Sequence, residues 1–153
     1  MGPLMRLVVQ RVDKASVSVQ ERIVSSIGKG LLVFLGVEKE DTCQDADYLL
    51  EKVINLRIFE DGDGKMNLSL VDTCGGLMVV SQFTLLGDCR KGRRPSFVRA
   101  EDPGPARDLY LYFIRKASER ITSVQAGKFQ AMMKVEIIND GPVTLLLDSK
   151  KIF

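Results

Sequence analysis

The first regular pattern along the chain has a period of two. Residues 5–12, MRLVVQRV, read as a strand, and Ser16-Val17-Ser18-Val19 alternates as a half-buried strand does. Arg22 to Ile27 is expected to pair with it. Gly28-Lys29-Gly30 predicts a turn. LLVFLGV at 31–37 then runs apolar on both faces, as a central buried strand must. The period changes after that: Ala46, Leu49, Leu50, Val53 and Leu56 share one face of a helix. Thr42 or Asp41 can cap it, and Asp45 and Asp47 suit its positive N-terminal end. EDGDGKMN at 60–67 predicts a loop; it lacks the ligand spacing and closing Glu of a calcium loop. Gly75-Gly76 leads into a further strand, LMVVSQFTLL at 77–86, interrupted by Ser81, Gln82 and Thr84. A charged loop, GDCRKGRRPSFVRAEDPGP, follows. A second helix is expected over about 104–122, with Leu109, Tyr110, Phe113, Ile114, Ala117 and Ile121 as its buried stripe and Asp102-Pro103 at its start. Met133, Val135 and Ile137 alternate with Lys134 and Glu136. INDGPVT at 138–144 then reads as a hairpin turn, with Val143 to Leu147 as the return strand.

Strands outnumber helices in this order, and no repeat or linker interrupts it. The expectation is a single α/β domain over 5–153, with mixed β-sheets forming a barrel-like core and two main helices. Met1 to Leu4 precede the first strand pattern and read as an extension. A chain of 153 residues suits one domain that buries enough surface to need no covalent staples. No apolar run reaches the ~18 residues a bilayer span requires, and the N-terminus lacks a signal-peptide layout. Three widely spaced cysteines, Cys43, Cys74 and Cys89, form neither a disulfide framework nor a zinc motif. A reducing, cytoplasmic location is expected. The net charge of +2 does not by itself announce a nucleic-acid binder.

The most restrictive composition figure is zero histidines. It removes Ser-His-Asp and Cys-His nucleophile systems, HExxH zinc sites and the zinc deaminase signature. Chemistry must come from carboxylates, Lys, backbone N–H groups or the substrate. No cofactor and no metal site is expected, since no ligand cluster is visible.

Four places carry candidate chemistry. Ser81, Gln82, Phe83 and Thr84 break an apolar strand just before a glycine and a charged loop. Thr84 could act as a nucleophile, but no His stands ready to activate it. The N–H groups of Gln82 and Phe83 could instead form an oxyanion hole. The bland reading is a polar strand end. Arg90, Lys91, Arg93 and Arg94 are four cations in five residues, suited to phosphates, with Phe97 available to stack on a base; the alternative is a solvated loop. Gly141-Pro142 is an unusual hairpin centre, because Pro142 lacks an N–H and an X-Pro bond adopts cis at modest cost. Arg11 lies in an apolar strand and either faces water from an edge or donates to carbonyls of another segment.

These motifs together resemble the D-aminoacyl-tRNA deacylase family. MRLVVQRV resembles its opening strand, SQFTL at 81–85 its first signature, KGRRPSF at 91–97 its KG-x-RPSF loop, and GKFQAMM at 127–133 with NDGPVT at 139–144 its C-terminal signature. The resemblance runs over essentially the whole chain from Met5. It implies a homodimer that hydrolyses D-aminoacyl-tRNA, and also glycyl-tRNA, to free amino acid and tRNA. It implies a cis Gly141-Pro142 that enters the partner's site beside Ser81, Gln82, Phe83 and Thr84 and excludes L-amino acids. Arg11 and Asn139 would support that motif. Two other function classes remain: a non-catalytic RNA-binding module built on Arg90 to Arg94 and Phe97, and a different small-ester or amide hydrolase on the same scaffold.

Overall fold

A computed structural model describes residues 5–153; Met1 to Leu4, expected to be an extension, lie outside the described residues. The two predicted opening strands are one, β1 (Arg6–Val19). The polar interval Asp13-Lys14 does not end it. It falls at a register shift, where the strand bulges and changes partner. Residues 6–12 pair antiparallel with β3 (Gly30–Gly36), and residues 15–19 with β2 (Arg22–Ile27). The other edge of β1 carries β8 (Lys134–Asp148) along nearly its whole length.

The long β8 corrects the expected closing hairpin. Residues 134–138 and 144–148 both pair with β1 in the same antiparallel sense. The chain never reverses. Gln10 faces Thr144 and Val12 faces Asn139, so residues 140–143 loop out opposite Arg11 alone. An apolar run, a turn-like Asn-Asp-Gly and a second apolar run have the sequence of a hairpin. One long partner strand makes them a bulge instead.

α1 (Cys43–Asn55) begins at Thr42, closed by a capping box with Asp45. A short hairpin, β4 (Phe59–Glu60) and β5 (Met66–Leu68), contains the predicted 60–67 loop. The one-turn α2 (Leu70–Thr73) leads to β6 (Gly76–Ser81), which runs parallel to β3. β6 stops at Ser81, and the predicted strand 82–86 is a 3-10 helix, Phe83–Leu86. α3 (Pro103–Ser118) opens on Asp102 and Pro103 and ends short of the predicted 122, although Ile121 is still buried. β7 (Val124–Ala126) lies parallel to β6. The sheet order is β2-β1-β3-β6-β7, with β8 beside β1: a mixed, nearly closed, barrel-like sheet.

Two hydrophobic clusters explain why the central strands are apolar on both faces. Leu31, Val33 and Leu35 of β3, with Leu77 and Val79 of β6, pack toward α1 and α3. Leu32 and Met78 pack on the opposite face with Val12, Val17, Ile27 and Val80, flanked by Val135 and Ile137 of β8. Gly30 and Gly76 pair across β3 and β6, and a Cβ on Gly30 would lie 1.9 Å from the Gly76 oxygen. The strands approach this closely only because Gly30 lacks a side chain.

Candidate active site

The first half of the site is the end of β6. Ser81 lies opposite Leu35 of β3. The N–H of Gln82 donates to the Leu35 oxygen at 2.8 Å. That bond carries the parallel ladder one residue past the strand and removes Gln82 as an oxyanion donor, contrary to the sequence expectation. The chain then tightens into the 3-10 helix, held by Leu85 N–H to Gln82 O (3.2 Å) and Gly87 N–H to Thr84 O (3.0 Å). The first N–H groups of a helix have no intrahelical acceptor. Among the described residues, those of Phe83 and Thr84 have no protein acceptor, so the donor pair moves on by one residue. Arg6 donates from Nη1 to the Leu85 oxygen at 3.0 Å and steadies the far end of this turn.

A cavity of about 770 Å³ opens beside Ser81, Gln82, Phe83 and Thr84. Phe97, Ala100 and Pro103 form one wall, and Ala106, Phe129 and Met133 another. Phe83 is 57% exposed and meets Phe97 edge-on, with ring centroids 5.2 Å apart. Phe97 thus packs at the mouth of the pocket. Beneath Phe129 lies Tyr110, whose hydroxyl donates to the Val79 oxygen at 2.8 Å. Burial pushes its phenol up to about 12, so it stays protonated and keeps donating. The same Val79 oxygen accepts the Gly127 N–H at 3.1 Å, which ties the 127–133 segment to β6. The pocket is mostly apolar, with polar groups from three segments: Ser81, Gln82 and Thr84, then Glu101 and Asp102, then Gln130.

The second half is the β8 bulge. The Gly141-Pro142 bond is cis, and Gly141 has φ +124°. A Cβ there would lie 3.1 Å from Arg11 Nη2 and 2.9 Å from Val143 Cγ2, so Gly is required on conformation and on space. Arg11 is 5% exposed. It does not face water: Nε donates to the Asp140 oxygen at 3.2 Å and pairs with Asp140 Oδ2, while Nη1 donates to the Ile58 oxygen at 2.7 Å. Asn139 closes the base of the bulge. Its Oδ1 accepts the Val143 N–H at 3.0 Å, and its Nδ2 donates to Thr144 Oγ1 at 3.1 Å. Within one chain the two halves do not meet, since no residue of 139–144 lines the pocket.

The basic loop divides. Arg90 forms a two-pronged pair with Asp88, at 2.9 and 2.7 Å, and holds that carboxyl far below the usual range. Asp88 also exchanges both backbone bonds with Ser96. Asp88 therefore closes the loop at its base, and Arg90 answers its charge from within the loop. Lys91, Arg93 and Arg94 stand exposed on it, with no ion pair among the described residues. Cys43, Cys74 and Cys89 are exposed thiols, and no cluster that could hold a metal occurs among the described residues. Among the described residues, no helix is long and apolar enough to cross a membrane.

Sequence reasoning missed Glu38, Asp41 and Arg99. The sequence offered Asp41 only as a helix cap and gave no sign that Glu38 and Asp41 are buried. Asp41 does not cap α1; its carboxylate accepts the Glu38 N–H instead.

The family model described as D-Tyr-tRNA(Tyr) deacylase matches residues 8–148. A D-aminoacyl-tRNA deacylase of Syntrophus aciditrophicus (strain SB) is 70% identical, covering 97% of this chain and 100% of that protein. One from Kosmotoga olearia is 60% identical with the same coverage. Among solved structures, the c-Myc DNA unwinding element binding protein superposes with a TM-score of 0.88 at 41% identity, over 93% of this chain and 97% of that one. A probable eukaryotic D-amino acid tRNA deacylase shares the fold, with a TM-score of 0.78 at 18% identity over 95% and 99%. A match over nearly the whole length, to a family model and to relatives this similar, means that the chain belongs to the D-aminoacyl-tRNA deacylase family of ester hydrolases.

Proposed function

We propose that this hydrolase cleaves D-aminoacyl- and glycyl-tRNA in a site completed by a second copy of the chain, with main-chain groups as its principal catalysts. The observation that carries this reading is the pair of unpartnered N–H groups, Phe83 and Thr84, at the mouth of an apolar pocket in a chain with no histidine. An aminoacyl ester is an activated acyl group, so it needs little general-base help. Attack on the ester carbon, by water or assisted by the ribose 2′-OH, moves charge onto the carbonyl oxygen. Two N–H donors fixed at a helix start stabilise that charge without reorganisation. The C–O bond to the ribose 3′-oxygen then breaks, giving the free amino acid and tRNA. The apolar walls take the terminal nucleoside that carries the ester. Lys91, Arg93 and Arg94 lie on a loop flanking the pocket and meet the phosphate backbone.

The gate is Gly141-Pro142 of the partner, set against Ser81, Gln82, Phe83 and Thr84. Its carbonyl oxygens accept from the substrate ammonium, and an L side chain collides with them. Selection by exclusion leaves glycine, which has no side chain, as a substrate. The separation of bulge and pocket within one chain supports the cross-subunit arrangement. Exposed Ile138 and Leu146 on β8, beside the bulge, supply apolar surface for a homodimer. A cytoplasmic location fits a tRNA-editing reaction.

Thr84 as a nucleophile is the competing mechanism. Thr84→Ala should retain at least about a tenth of kcat, because its side chain contributes no bond-forming step. A terminal 2′-deoxy ester should react more slowly than the ribo ester. Complete loss of turnover in a folded, tRNA-binding Thr84→Ala protein would establish the nucleophile instead, and equal rates for the two esters would remove the 2′-OH from the mechanism.

A further inference from the structure

A group of charged residues lies behind the pocket wall and takes no part in the chemistry above. Glu38 and Asp41, just past β3, are 5% and 9% exposed. A Glu38 oxygen pairs with the Arg99 guanidinium. The Glu38 N–H donates to Asp41 Oδ2 at 2.7 Å, and the Asp41 N–H donates back to the Glu38 oxygen at 3.1 Å. One oxygen of each carboxyl, Glu38 Oε2 and Asp41 Oδ1, is buried without a partner. Two adjacent buried carboxylates are costly when both are ionised, and a retained proton relieves that cost. Burial, and then the charges of Asp45, Glu38 and Glu101, push Asp41 up to about 7.

The cluster holds one wall of the pocket in place. Residues 97–103 run alongside the end of β3, joined by Lys39 N–H to Arg99 O (3.0 Å) and Glu101 N–H to Val37 O (2.9 Å). The Arg99 side chain reaches from that segment to Glu38. Phe97, Ala100 and Pro103 project from the same segment into the cavity.

We infer that Glu38, Asp41 and Arg99 are positioning residues for deacylation: the carboxyl pair and the guanidinium fix the 97–103 wall against β3 and so set how tightly the aminoacylated end is gripped. This rests on the reading that the pocket receives that end. The sign of the pH effect follows. Below about pH 7 Asp41 keeps its proton and the wall is held. Above it, a second negative charge beside Asp45, Glu38 and Glu101 loosens the wall, since among the described residues Arg99 is paired with Glu38 and no cation pairs with Asp41. Binding then weakens, while the Phe83 and Thr84 N–H groups are unchanged.

The test is kcat and KM for a D-aminoacyl-tRNA across about pH 6 to 8, with the full chain. The parent KM should rise with pH. Asp41→Asn keeps an oxygen for the Glu38 N–H and cannot ionise, so its KM should lose that rise relative to the parent. Arg99→Ala should raise KM by about fivefold to tenfold with kcat changed less than about twofold. Arg99→Lys should restore part of the loss, and thermal melts confirm that each variant is folded. An Asp41→Asn profile that tracks the parent, or an unchanged KM in Arg99→Ala, overturns the inference. Ala106→Leu, which fills the pocket directly, separates the two claims. If it leaves KM unchanged, the pocket reading itself fails. If it raises KM while Arg99→Ala does not, only the positioning role fails.

Discussion

Arg11 shows how one buried side chain can organise a remote loop. Its side chain is buried, yet Nε and Nη1 meet two carbonyl oxygens and the Asp140 carboxylate, so its charge is answered. Arg11→Met preserves length and removes every donor. The Ile58 oxygen is then left buried without a partner, which costs about 1–3 kcal/mol. The bulge also loses its tether at Asp140. Denaturant unfolding should show the stability loss, and hydrolysis of the L-ester relative to the D-ester should increase. A variant as stable and as selective as the parent would show that Arg11 does not hold the gate. The residue was legible in the sequence as a cation in an apolar strand, but its acceptors were not. They lie 47 and 129 positions away and come together only through the β1–β8 and β4 packing. Glu38 and Asp41 were not legible at all, because nothing in a run of charges says that the next chain segment will cover it.

At the scale of elements, two apolar runs misled in the same way. LMVVSQFTLL has strand composition throughout, but the final half is a 3-10 turn because Gln82 ends the ladder and Leu86 still finds the core. INDGPVT has hairpin composition, but both of its arms pair with β1. Local propensity names the residues that favour a turn; the partner strand decides whether the chain reverses. In both cases the corrected geometry improves the chemistry, since it frees N–H groups at a helix start and projects a Gly-Pro edge from a strand. The basic loop permits a separate prediction. Replacing Lys91, Arg93 and Arg94 with Gln should raise KM for tRNA and flatten its salt dependence, by roughly one unit of slope for each phosphate that is no longer neutralised. The D/L rate ratio should not move. Arg90 is a poor choice for that experiment, because its charge is already answered by Asp88. A KM that stays flat in salt for the parent would remove the loop from tRNA recognition.

For the whole molecule, the fold class, the two main helices and the mixed barrel-like sheet were all legible from periodicity, because long apolar strands and amphipathic helices are locally encoded. Periodicity says nothing of assembly, and within one chain the β8 bulge does not reach the pocket, which the proposed cross-subunit gate would explain. Mixed dimers make that arrangement measurable. A subunit disabled in the gate by Gly141→Ala, with its added Cβ against Arg11, is combined with one whose pocket is blocked by Ala106→Leu. If each site draws pocket and gate from different subunits, half of the sites in the mixed dimer carry both lesions and the other half carry neither, so selective D-ester turnover returns. If pocket and gate act within one subunit, every site carries one lesion and no selective turnover returns. The central claim, an ester hydrolase that chooses by excluding a side chain, meets its most direct test in the parent protein, with matched D-, L- and glycyl esters of one tRNA. The account predicts rapid hydrolysis of the D- and glycyl esters and an L-ester rate near the uncatalysed background. An L-ester hydrolysed as fast as its D counterpart would contradict it.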